Sequence, residues 1–178
     1  MRGKKQRHIP EMALRRDELE RLARERFMFL TGAKGYTLSS SEQDVFMTSD
    51  YYVRRGDSVG IEVALDLRDE AVWVYLLRLH DNGLPPHGFV DVEKGERIRV
   101  SLLTVLKRFL GVKDAQLDEL AAMLNAPQAI RTRDYSWASE ALTRWSDLVE
   151  LYIDEVSHEP IAVLFPPPPP DASPASQA

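Results

Sequence analysis

"SVGIEVALDLRDEAVWVYLLRL", residues 58–79, is the stretch that decides the fold. In its first half Val59, Ile61, Val63, Leu65 and Leu67 alternate with Ser58, Gly60, Glu62, Ala64 and Asp66. Side chains of an extended strand point to opposite faces at each step, so this period of two predicts a half-buried strand. The second half, residues 71–79, is apolar on both faces. It predicts a central strand, covered by helices on one side and partly covered on the other. The "DLRDE" connection is short and polar, which makes the pair an antiparallel hairpin.

Working outward, "DVFMTSDYYVRR" (44–55) is rich in β-branched and aromatic residues and runs into the turn signal "GD", so it predicts the preceding strand. "GYTL" (35–38) suits a short edge strand before it, and "SSSEQD" (39–44) reads as a loop. "GFVDV" and "RIRV" suit a short ribbon around "EKGE" (93–96). Upstream, Leu19, Leu22, Ala23, Phe27 and Leu30 recur at helical spacing, and Pro10 suits a first helical turn. These features predict a helix over about 10–31, stopped by Gly32.

After residue 100 the period is helical again. Ser101 is placed to cap a helix carrying Leu102, Val105, Leu106, Phe109 and Leu110, and Asp114 to cap a second carrying Leu117, Leu120, Ala121 and Leu124. A long helix over about 136–157 carries Ala138, Leu142, Trp145, Leu148, Val149, Tyr152 and Val156 on one stripe. Trp137, Trp145 and Tyr152 on or near it read as core. "PIAVLF" (160–165) reads as a short strand or extended segment. The fold class is α+β: an N-terminal helix, an antiparallel β-meander, then helices packed on one face of the sheet. The organisation is a basic flexible arm at 1–9, a single α+β domain at 10–165, and a disordered proline-rich tail at 166–178.

The chain has 178 residues and a net charge of -5, unevenly spread. Residues 1–26 hold nine Lys or Arg against five acids, and the remainder fourteen against twenty-three. An acidic body argues against a whole-protein nucleic-acid binder and leaves only weak, salt-sensitive attraction through residues 1–8. There is no cysteine, which rules out disulfides and thiolate sites and fits a reducing compartment. No apolar run is long enough to span a membrane, and the charged start lacks a signal-peptide apolar region, so the expected location is cytoplasmic.

Chemistry has few candidates. His80, Asp81 and His87 lie in "RLHDNGLPPHG" (78–88), a loop with metal-binding or acid–base residue types. The two histidines lack the helical i, i+4 spacing that aims both at one ion, and "DNG" and "LPP" are sufficient as turn and extended signals. No serine elbow, phosphate loop or dinucleotide fingerprint occurs. "TGAKGY" (31–36) follows a helix rather than preceding one, so its glycines read as a helix stop. Asp66, Asp69 and Glu70 cluster with Arg68 at a hairpin tip, where charge is ordinary. Tyr52, Arg54 and Arg55 combine aromatic and cationic groups suited to an anionic partner; the alternative is outward tyrosines beside a solvated arginine pair.

The succession of "FMFLTGAKGY", "SDYYVRRGDSVGIEVALDLRDEAVWVYLLRL" and "SLLTVLKRFLG", spanning roughly residues 12–111, resembles small bacterial α+β proteins in which a helix precedes an antiparallel meander. Several families of that kind are uncharacterised or are predicted immunity proteins that neutralise toxins. The resemblance is one of pattern and carries over no functional residue.

The expected function is a non-enzymatic protein-binding module, in its sharpest form an immunity or inhibitor protein whose acidic body suits a basic partner. Its expected partner is a protein, and no cofactor is expected. One alternative is a small-ligand binder or metal-dependent enzyme using the His80–His87 loop. Another is a nucleic-acid adaptor using the basic arm. The candidate contact residues are His80, Asp81, His87, Tyr52, Arg54, Arg55 and Arg68.

Overall fold

The computed structural model describes residues 8–67, 71–80, 83–85, 92–93, 96–125 and 136–168. Arg68, Asp81, His87, the arm up to residue 7 and the tail beyond residue 168 lie outside the described residues. The fold is α+β. Helix α1 (His8–Arg26) leads through α2 (Met28–Thr31) into strands β1 (Thr37–Gln43), β2 (Met47–Val53), β3 (Val59–Asp66) and β4 (Ala71–Arg78). A two-stranded ribbon, β5 (Val92–Glu93) and β6 (Glu96–Arg97), precedes β7 (Arg99–Ser101). Then come α3 (Leu102–Thr104), a π-helical turn (Val105–Phe109), α4 (Ala115–Leu124), α5 (Ser136–His158) and α6 (Ile161–Leu164). The main sheet is antiparallel, in the order β1-β2-β3-β4-β7.

One face of the sheet carries Tyr52, Val59, Ile61, Val63, Leu65, Val72, Val74, Leu76 and Val100 into a single apolar core. The helices close that face with Leu19, Ala23 and Phe27 of α1 and the Leu142–Trp145–Leu148–Val149–Ile153–Val156 stripe of α5. Trp145 is fully buried, and its indole N–H donates to the Val72 carbonyl at 2.9 Å, tying α5 to the start of β4. Trp137 and Tyr152 are half-buried against this core, and the Tyr152 hydroxyl donates to Asp114 at 2.8 Å. Asp114 also caps α4 by accepting from the Gln116 N–H, as its position predicts.

Several expectations are corrected. The helix expected over 10–31 breaks at Phe27, where hydrogen bonding tightens and the Leu30 N–H reaches back to the Phe27 carbonyl. The break lets Phe27 and Leu30 both be fully buried. Gly32 does end the helical stretch, as the C-cap of α2 with its N–H on the Met28 carbonyl, but without a left-handed turn; Gly35, with φ of 71°, makes the turn into β1. The "SSSEQD" loop is mostly strand, because β1 continues to Gln43. β3 is not half-buried: seven of its eight residues are buried, so it is closed on both faces. In the proposed ribbon, Arg99 and Val100 leave β6 and pair with β4 instead. Ser101 makes no side-chain cap, and the helix after it widens into a π turn, with the Leu110 N–H donating to the Val105 carbonyl at 2.9 Å. "PIAVLF" forms the short helix α6 rather than a strand.

Candidate functional site

His80 is exposed and closes a tight turn, donating its N–H to the Gly83 carbonyl at 3.1 Å and accepting from the Gly83 N–H at 2.8 Å. Among the described residues no group of three or more His, Cys, Asp or Glu is placed to hold a metal ion. Tyr52 does not face outward. It is 3 % exposed, inside the helix-covered core, and burial with the nearby Asp50 raises its pKa. Arg55 is exposed.

Arg54 belongs to a network rather than to a solvated pair. Its guanidinium donates to Asp57 at 2.8 Å, to Asp154 of α5 at 3.3 Å, to the Lys34 carbonyl at 3.2 Å and to the Ser157 hydroxyl at 2.9 Å. It also lies 4.8 Å over the ring of Tyr36. Burial pushes the Tyr36 hydroxyl up to about 12, against the opposing effect of the Arg54 charge. Lys34 adds a 2.6 Å contact to Asp154 and is the main cause holding that carboxyl below its ordinary value. The cations here are matched by Asp57 and Asp154, so this cluster fastens α5 to the end of β2.

A second polar cluster lies on the sheet face opposite the helices. Glu62 is fully buried and stands directly between Tyr51 of β2 and Tyr75 of β4. Its carboxylate accepts from Arg99 Nε at 2.7 Å and Nη2 at 3.1 Å, and from the Ser49 hydroxyl at 2.8 Å. Arg99 comes from β7, two strands away. It reaches Glu62 by lying over the Tyr75 ring, 3.4 Å from the centroid. Tyr51 donates to Glu42 of β1 at 3.1 Å, and its pKa is raised by burial and then by the Glu62 and Glu42 charges. Gly60, on the same face, is closely packed: a Cβ there would sit 3.0 Å from Leu79 Cδ2 and 3.2 Å from the Tyr52 carbonyl oxygen, so both neighbours would have to shift slightly to admit one. A buried ion pair of this kind contributes little net stability but fixes geometry strongly, because removing one partner strands the other. Sequence reasoning missed it. The signal was there in small form: Gly60 and Ala64 flank Glu62 on its face, and neither extends a solvating side chain.

The third region is exposed. The run from Thr37 to Phe46 is exposed at every position except half-buried Ser40. It comprises β1, the edge of the sheet, and the turn after it. Asp44 shapes that turn by accepting the N–H groups of Phe46 and Met47, both at 2.7 Å, and these bonds hold its carboxyl below the ordinary value. Leu38, Val45 and Phe46 are exposed by 38 %, 69 % and 41 %. Alongside runs α1. Arg16 donates to the Val45 carbonyl, Glu20 accepts from Gln43 and Thr48, and Arg24 makes a two-point contact with buried Asp50, which also accepts from Ser41. The helix is thus bonded at successive turns to the β1–β2 hairpin, and its outer side forms an open groove of about 520 Å³ lined by Asp17, Glu20, Arg21, Arg24, Glu25 and Met28.

Comparison of the chain with protein-family models, with curated proteins and with solved structures finds no significant match.

Proposed function

We propose that the protein acts by binding another protein, with the open β1 edge and the β1–β2 turn as its contact surface. The observation that carries this reading is the continuous exposure from Thr37 to Phe46, with Leu38, Val45 and Phe46 within it. An unprotected strand edge offers backbone donors and acceptors to another chain, and exposed apolar side chains beside it supply area to bury. The acidic balance of the chain suits a basic partner, because opposite charge raises the rate of encounter. The sharper form of the proposal is an inhibitor or immunity role against such a partner. We read its setting as the cytoplasm, which a chain without cysteine fits.

The test is site-specific photo-crosslinking in cells, with the photoreactive residue at Phe46 and, as a control, at exposed Leu151 of α5. The expected result is one dominant protein adduct from position 46, lost when Val45 is changed to Lys. Equal labelling from both positions, or an adduct indifferent to Val45→Lys, overturns the reading.

A further inference from the structure

We infer that β1 and the groove beside α1 form a strand-addition site for an extended, basic segment of the partner protein. This rests on the protein-binding reading above and states what the surface takes. Three observations converge. The first is the backbone. β1 is seven residues long, carries no proline or lysine, and among the described residues pairs only on its β2 side. Natural edges are commonly blunted by lysine, proline, a bulge or extreme shortness. Here one bulge lies between Leu38 and Ser40, and Ser40–Gln43 continues beyond it in unbroken register with Tyr51–Thr48.

The second observation is the groove. Glu20 and Arg24, which line it, bond Gln43 at the end of β1 and Thr48 and Asp50 of β2, so the groove lies on the side of α1 that meets the β1–β2 hairpin. A strand added to β1 would project alternate side chains toward it. The third is charge. Within the groove Arg21 is paired with Glu25, and Arg24 is spent on buried Asp50. Asp17 and Glu20 stand outside those pairs; Glu20 takes its hydrogen bonds from neutral donors, Thr48 and Gln43, with the Arg24 charge beside it. The groove therefore presents two carboxylates with no bonded cation among the described residues; Glu42, bonded by Tyr51, adds a third on the opposite face of β1. Met28, 68 % exposed, supplies an apolar contact within it. Such a surface selects an extended segment with Lys or Arg at alternate positions, the backbone giving affinity and the side chains selectivity.

The test is backbone-amide NMR of the full chain titrated with a synthetic Lys-Val-Lys-Thr-Lys-Val-Lys peptide at low salt. Two controls are a copy N-methylated at alternate residues and a copy with Glu for every Lys. The inference expects shifts over residues 37–43 and 17–28, binding weakened about tenfold or more by N-methylation, and none from the Glu peptide. Glu20→Lys with Asp17→Lys should abolish the shifts while leaving the rest of the spectrum in place. Equal binding by the N-methylated copy overturns strand addition. Absence of shifts at β1, while crosslinking at Phe46 still captures a partner, overturns it too and leaves the protein-binding reading standing. A dimer broken by substitutions in β1 assigns the edge to a second copy of the chain and overturns the foreign segment.

Discussion

The two edges of the sheet are built by opposite rules. β7 is three residues long, with Arg99 and Val100 buried, and it is bound into the sheet by a charge that crosses β4 to reach Glu62. β1 is seven residues long and exposed almost throughout, and its side-chain contacts are hydrogen bonds near the surface, to Asp50, Glu20 and Tyr51. An edge closed by a buried ion pair is committed to the fold. An edge left open, on a sheet otherwise buried on both faces, is available for something else. On the proposed reading, the difference separates residues whose loss should unfold the protein from residues whose loss should remove only binding.

The largest effect should come from breaking the closed edge. Arg99→Ala leaves Glu62 charged and buried without its cation, and should cost about 3–5 kcal/mol in urea unfolding. Replacing both, with Glu62→Met and Arg99→Met, should recover most of that loss, since an apolar pair of similar volume carries no stranded charge. If the double variant is as unstable as the single, the pair does more than neutralise itself. Next in size is Gly60→Ala. The 3.2 Å approach to the Tyr52 carbonyl is to backbone, and Leu79 is closer still, so overpacking should cost about 1–3 kcal/mol by the same measurement.

A pH titration tests burial on both faces together. Tyr36, Tyr51 and Tyr52 all have folded pKa values raised, first of all by burial, above the unfolded value of about 10. The folded state then holds protons that the unfolded state releases. Their contribution is fully present below about pH 10 and is lost as pH rises through the folded values. Unfolding should set in above that pH, with phenolate absorbance from these three tyrosines appearing together with the loss of circular dichroism. Full phenolate absorbance in a still-folded protein would contradict the burial.

The smallest effect on stability belongs to the open edge. Val45→Lys and Phe46→Lys should each shift unfolding by no more than about 0.5 kcal/mol, as expected of exposed positions, and Val45→Lys should remove the partner crosslinked from position 46. A large loss of stability from either would erase the contrast between the edges.

The sequence showed the parts of the fold whose residues state their surroundings. Alternation over 59–67 and continuous apolarity over 71–79 yield β3 and β4, helical stripes yield α1 and α5, and Asp114 yields the start of α4. β1 was hidden because an edge strand exposed on both sides needs no apolar alternation; "SSSEQ" is extended by its pairing with β2 and by contacts such as Ser41 with Asp50. The burial of Glu62 was hidden because its cation lies thirty-seven positions away and reaches it across an intervening strand. Tyr52 and Arg54 were picked out for their chemistry, but Tyr52 serves the core and Arg54 a junction with α5. Of the proposed contact surface, only the "GYTL" edge was anticipated, and only in part.

The shortness of β7 also bears on stoichiometry. A sheet with two long free edges can receive a strand on each and grow without limit, as in a fibre. Here β7 spans three residues and offers a guest strand little backbone to pair with, while β1 spans seven. Pairing through β1 would then stop at one guest strand per molecule or at two molecules edge to edge, with the short β7 acting as the terminator.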